Sequence, residues 1–368
     1  MKLLYLTLVI LLSACGSSGT VPETPPVEKE ITWQVSPASL SFAAQTDTKN
    51  VLITANGDWT VASSQAWCTT DRTQGFNGQT SLKVTVATNP AETERNAELT
   101  LTSGKYSAKI PVSQEGVKIE DHVPDGYTLK WQDEFNDARL SGGKTPMPNA
   151  DKWYFETGGN GWGNNEIQNY IPGYRGTDTC AVISDGTLKI IAKKVGTEVL
   201  SIRMNTKESW QYGYFEARLR MPSGKGTWPA FWMLPKDFNN WPLDGEIDIM
   251  EYVGYDPNVV HSTVHTQAYN HGIGTQKGKS IRIPNAETEF NVYAVEWTAD
   301  YIKGFANGVE YFRFDNDGND DINTWPFDKP FYLKLNLAWG GNWGGAQGVD
   351  ETKLPATYEI DYVRVYQK

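Results

Sequence analysis

From Thr32 to the C-terminus the apolar residues fall into short runs that alternate with polar ones or are continuously apolar. No segment carries the three-to-four spacing of a long amphipathic helix. Strands are predicted over Thr32–Val35, Val51–Ala55, Ser81–Ala87, Ala97–Thr102 and Ser107–Ser113, divided by turn signals such as Ala55-Asn56-Gly57-Asp58 and Ser103-Gly104-Lys105. That pattern predicts a small immunoglobulin-like β-sandwich over residues 31–116. Residues 117–126 read as a linker. Beyond it, Leu188–Ala192, Tyr214–Arg220, Glu246–Val253, Tyr293–Trp297, Phe331–Leu337 and Tyr358–Val365 predict one large two-sheet sandwich over 127–368. The fold class is therefore all-β.

The N-terminus is different. A single Lys2 precedes an apolar run from Leu3 to Leu12, too short to span a bilayer and suited to a signal peptide covering residues 1–14. Leu12-Ser13-Ala14-Cys15 resembles a bacterial lipobox, which implies a lipid on Cys15. A plain signal peptide with an incidental cysteine is the alternative. The Pro-rich stretch 15–30 then reads as a tether. The expected location is outside the cytoplasm, anchored to a membrane and facing the cell surface or the periplasm.

Lys and Arg number 33 against 44 Asp and Glu, a net charge of -11. This argues against a nucleic-acid partner. The 14 Trp and 18 Tyr suit a β-rich core and equally a carbohydrate cleft, where flat rings stack on sugars. Cys68 and Cys180 fall in different domains and are expected to be buried thiols. A monomer is expected.

The sharpest local pattern is Gly245-Glu246-Ile247-Asp248-Ile249-Met250-Glu251-Tyr252-Val253-Gly254. Glu246 and Asp248 are two apart and share a face of a strand. Asp248 and Glu251 are three apart and do not. One bulged residue restores the parity, because two residues then oppose one partner. All three acids then share a face, with Ile247 and one of Ile249 or Met250 on the apolar side. Three crowded carboxyls cannot all ionise cheaply, so protons are retained and titration belongs to the cluster. Carboxyls about 5 Å apart suit a retaining glycosidase, and about 6.5–9.5 Å an inverting one. A surface strand of solvated acids is the plainer alternative.

That stretch resembles the signature of glycoside hydrolase family 16 in its bulged, laminarinase-like form. The resemblance runs through Trp131-Gln132-Asp133-Glu134-Phe135, Gly161-Trp162-Gly163-Asn164-Asn165-Glu166, Tyr212–Arg218, Gly226–Pro235 and Tyr358–Tyr366. It implies a concanavalin A-like β-jelly roll with a cleft on its concave face. Asn56-Gly57-Asp58-Trp59, Ala66-Trp67, Asn89 with Arg95, and Val112–Gly116 resemble a BACON domain, which implies either carbohydrate binding or a spacer. Trp59 and Trp67 are expected in its core.

Position by position, the family resemblance makes Glu246 the nucleophile, Glu251 the acid/base and Asp248 the assisting carboxylate. It sets His265 beside Glu251 as a tuning group and leaves His261 structural. Asn165, Glu166, Arg203, Trp228, Trp232, Trp339 and Trp343 are the expected substrate contacts. Catalysis is expected to need no cofactor, while a structural calcium ion is expected at Glu134 and Asp361. The implied activity is retaining endo-hydrolysis of β-1,3- or mixed-linkage β-1,3/1,4-glucan. The alternatives are another β-glycan, or a non-catalytic surface glycan-binding lipoprotein.

Overall fold

The computed structural model describes residues 30–368 except 90, 92, 117–120, 137–138 and 142–144. The expected signal peptide, Cys15 and the tether as far as residue 29 lie outside these. The chain forms two compact units, the first running through Gln114 and the second from Glu115 to Lys368. The short stretches Ala43–Gln45 and Asn89–Arg95 group with the second. Among the described residues there is no α-helix, only three short 3-10 turns.

In the first unit, Trp33–Ser36, Asp47–Ala55, Gly78–Val86 and Cys68–Thr70 form one sheet. Leu40–Phe42, Tyr106–Gln114, Arg95–Ser103, Trp59–Ser63 and Gln74–Gly75 form the other. Alternation decides which side chains go inside. Val51, Ile53 and Ala55 are buried and the residues between them are not. Leu82, Val84 and Val86 repeat the pattern on the neighbouring strand. Trp59 joins this core, Trp67 packs against it, and Cys68 is buried in it.

The second unit is a sandwich of two large sheets. In one, Ala356–Gln367 lies between Thr187–Val195 and Gly213–Arg220. Asn307-Gly308 closes a two-residue hairpin on that sheet, both residues at positive φ, as a turn matching strand twist requires. The other sheet has seven strands in the order Trp153–Glu156, Arg203–Thr206, Phe331–Trp339, Thr227–Pro235, Glu246–Tyr252, Val259–His265 and Lys277–Arg282. The two sheets share one core, to which Phe331, Leu333, Leu335, Leu337 and Trp339 contribute every second residue of one strand. Tyr332 instead packs with Ala230, Trp232 and Leu234 in a separate cluster on the outer face of the seven-stranded sheet.

The acid-bearing strand Glu246–Tyr252 is bulged. Against Val259–His265, Asp248 pairs with Thr263 and Glu251 with His261, so Ile249 and Met250 together face Ser262 alone. Against Thr227–Pro235, Trp232 opposes Asp248 while Phe231 opposes Met250, so Ile249 is the extra residue. Ile247, Ile249 and Met250 all sit in the core. The expectation that only one of Ile249 and Met250 faces inward is thereby corrected: this bulge sends two consecutive side chains to the apolar side. Gly254 ends the segment where no other residue fits, since a Cβ there would lie 2.0 Å from the Gly224 carbonyl oxygen.

Candidate active site

The outer face of the seven-stranded sheet carries a cleft of about 920 Å³. Its floor is built from cross-strand rows. One runs Asn205, Lys334, Trp232, Asp248, Thr263, Gly278. The next runs Glu156, Arg203, Asn336, Ala230, Glu251, His261, Ser280. Glu246, Asp248 and Glu251 all line the cleft. The side chains of Glu246 and Asp248 are only 15% and 5% exposed.

Burial, and then the neighbouring Asp248, pushes the Glu246 carboxyl up to about 8. Burial does the same to Asp248, and burial with Asp248 beside it does so to Glu251. The three acids thus hold protons at neutral pH and cannot ionise together. Opposing influences differ between the two glutamates. His265 pulls both down; Arg203 also pulls Glu246 down, and a hydrogen bond from Trp228 does so for Glu251. A trio that shares its protons, with different stabilisers at its two ends, can supply one carboxylate and one carboxylic acid at once. Glycoside cleavage needs that pair.

His265 does not stand where it was expected. It pairs across the strands with Glu246. Its Nε2 lies 3.3 Å from Asp248 Oδ2 and 3.8 Å from Glu246 Oε1. The residue opposite Glu251 is His261, which also lines the cleft and meets the Trp343 ring edge-on. Antiparallel pairing dictates this order: the residues nearest the connecting turn pair with each other, and those farthest from it do likewise.

Among the expected substrate contacts, Glu166, Arg203, Trp228, Trp232 and Trp343 line the cleft. Glu166 is buried and accepts hydrogen bonds from Gln168 at 2.5 Å and the Tyr170 hydroxyl at 3.0 Å. Trp232 Nε1 donates to Asn336 Oδ1 at 2.7 Å, which fixes the ring. Trp228 and Trp343 meet edge-on. Two expectations are corrected. Trp339 is 1% exposed in the core, because it has the same parity as Leu335 and Leu337. Asn165 is not among the lining residues; its side-chain amide donates to Asn342 Oδ1 at 2.8 Å, and it is Asn342 that lines the cleft.

Further residues line the cleft beyond the expected contacts, among them Trp162, Asn336, Trp241 and His271. Asn336 is legible in the sequence, because it alternates with Leu335 and Leu337. Trp162, Trp241 and His271 sit in loops or short turns, where no periodicity reports direction.

Glu134 and Asp361, as they stand, do not fit a calcium site. Arg364 grips both Glu134 oxygens, at 2.8 and 2.9 Å. Arg218 Nη1 lies 2.5 Å from Asp361 Oδ2, both side chains 9% exposed. These acids are neutralised by guanidinium groups.

Comparison with known proteins agrees with this geometry. The model of Glycosyl hydrolases family 16 matches residues 170–364, and that of a viral BACON domain matches 32–117. A β-glucanase from Rhodothermus marinus is 47% identical over 72% of this chain and 94% of its own. The X-ray structure of the laminarinase from Rhodothermus marinus, 46% identical, covers 66% of this chain and 97% of its own with a TM-score of 0.60. A mutant of SCLam, a non-specific endo-β-1,3(4)-glucanase co-crystallized with 1,3-β-D-cellotriosyl-glucose, is 42% identical over 67% of this chain and 96% of its own, with a TM-score of 0.61. With two facing sheets, a bulged acid strand and these relatives, the chain belongs to glycoside hydrolase family 16.

Proposed function

We propose that this protein is a retaining endo-β-glucanase acting on β-1,3- or mixed-linkage β-1,3/1,4-glucan. The observation that carries the reading is the bulge at Ile249, which brings Glu251 onto the cleft with Glu246 and Asp248. Ionised Glu246 attacks the anomeric carbon while Glu251 gives its proton to the departing glycosidic oxygen. A covalent glycosyl-enzyme results. Glu251, now a carboxylate, takes a proton from water; the water oxygen displaces Glu246 and the β-configuration is restored. Asp248 between them, with His265 at its oxygen, holds charge and proton for the pair. Trp228, Trp232 and Trp343 offer aromatic faces and edges to the sugars.

The crowded acids also argue against a glycan-binding protein without activity, since binding gains nothing from three carboxyls that push each other's protons on. Reducing-sugar release from laminarin and from cereal β-glucan, with Glu246→Gln as control, tests the activity; no release from either polymer by the wild type would sink it. NMR of the first product tests retention, an initial α-anomer being the contrary result. From Leu12-Ser13-Ala14-Cys15 we also infer a lipid anchor on Cys15. Loss of the protein from the membrane fraction in Cys15→Ala is the expected outcome, and unchanged retention refutes it.

A further inference from the structure

Lys334 belongs to the strand that alternates Leu333, Leu335 and Leu337 into the core, and it points the other way. Its side chain is nevertheless 0% exposed. Burial pushes its ammonium down to about 7. The ammonium donates to Glu156 Oε2 at 2.9 Å and to Asn205 Oδ1 at 2.6 Å, and lies 5.0 Å from the Trp232 ring centroid and 5.1 Å from that of Tyr332. Arg203 Nε binds the same Glu156 oxygen. The Arg203 guanidinium lies 4.6 Å from the Trp162 ring and 4.8 Å from the Trp232 ring. One carboxylate therefore holds two cations under an aromatic wall.

A buried ammonium is costly, and an apolar side chain would fill the same space more cheaply. What it touches gives it a use. Arg203, Trp162 and Trp232 line the cleft, whereas Lys334 and Glu156 are not among its lining residues. In the cross-strand row, Lys334 is followed by Trp232 and then Asp248. The charged groups facing Lys334 are Glu156 from one edge, Arg203 from the next strand and Glu246 from the acid strand.

We propose that Lys334 is a positioning residue: through Glu156 and the Trp232 ring it fixes Arg203 and Trp232 as one wall of the sugar-binding cleft, and it adds positive charge on the Glu246 side of the trio. This rests on the glucanase reading above. The division of labour between two similarly buried glutamates then has a physical origin. The cations sit on the side of Glu246, the group that must be ionised, and the hydrogen bond from Trp228 serves Glu251 at the other end.

Two variants of the full chain test it. Lys334→Gln keeps a hydrogen-bonding group and deletes the charge. With glucan oligosaccharides, kcat/KM should fall about tenfold or more, and its acidic limb should move up by about half a pH unit, because Glu246 loses a cation that favours its ionised form. Glu156→Gln, at a side chain 27% exposed, should raise KM about fivefold by uncoupling Arg203 from Lys334. A merely structural lysine would lower the melting temperature and leave KM and the pH limb of the folded enzyme where they were. That result in Lys334→Gln, or an unchanged KM in Glu156→Gln, overturns the proposal. Glucan hydrolysis by the wild type, measured alongside, separates its failure from that of the glucanase reading.

Discussion

Trp228 Nε1 donates a hydrogen bond to Glu251 Oε1 at 3.0 Å, from a ring that also lines the cleft. The indole is a donor only, so it favours the charged carboxylate over the neutral acid. It works against the burial and the Asp248 charge that push the same carboxyl up.

Trp228→Phe keeps a ring in place and removes the donor. The Glu251 pKa should then rise, and the basic limb of kcat/KM against pH should move up by as much as about one unit. A pH profile on laminarin checks this. A limb that stays put or moves down contradicts the role given to the indole.

Replacing the acids should stabilise the fold. Glu246 and Glu251 are pushed from the ordinary range to about 8 in the native state. Between about pH 4.5 and 8 the native state therefore binds more protons than the unfolded chain, and stability falls as pH rises through that window. Glu246→Gln and Glu251→Gln remove this penalty. Each should lose activity by about 100-fold or more and gain about 2–6 °C in melting temperature at pH 7, with little gain at pH 4. Thermal melts at both pH values decide it; equal gains at both would exclude the titration as the cause.

The bulge makes a parity prediction. Deleting Ile249 leaves Glu251 four residues after Glu246, still on the cleft face of a regular strand. The variant should lose about 2–5 kcal/mol of stability, because a fully buried side chain disappears, yet keep more activity than Glu251→Gln. Inserting one alanine between Ile249 and Met250 also makes the spacing even, but sets Glu251 six residues after Glu246, about 20 Å along a regular strand, and should abolish activity through distance. Assays of folded material at low temperature compare them. A deletion variant as inactive as Glu251→Gln would defeat the parity account.

Trp339 and Trp343 should separate cleanly. Trp339→Ala opens the core and should cost about 3–5 kcal/mol of stability. Trp343→Ala removes a cleft wall and should raise KM several-fold with a small change in melting temperature. Kinetics and melts on the two proteins check the contrast, and a Trp339 variant that alters only KM would reverse it.

Both sandwiches were legible because alternation reports burial directly, as Val51, Ile53 and Ala55 show. The bulge was legible as a slip in acid spacing. What stayed hidden had two causes. Some of it was in the sequence but depended on register: the parity of Trp339, and the pairing that sets His265 beside Glu246 rather than Glu251. The rest depended on partners distant in the chain. Arg364 meets Glu134 across 230 positions, and Lys334 meets Glu156 across 178. No local pattern in either strand announces the other.

The cross-strand rows of the cleft have a further consequence. Consecutive places along one row, Arg203, Asn336, Ala230, Glu251 and His261, come from five strands whose order in space is not their order in the chain. The four strands from Thr227–Pro235 to Lys277–Arg282 do follow one another in both, and they carry all three acids. The strand bearing Arg203 joins them only when Phe331–Trp339, near the end of the chain, inserts between it and Thr227–Pro235. The acids can thus be assembled locally, while the wall that holds the sugar beside them is completed only by the last part of the chain.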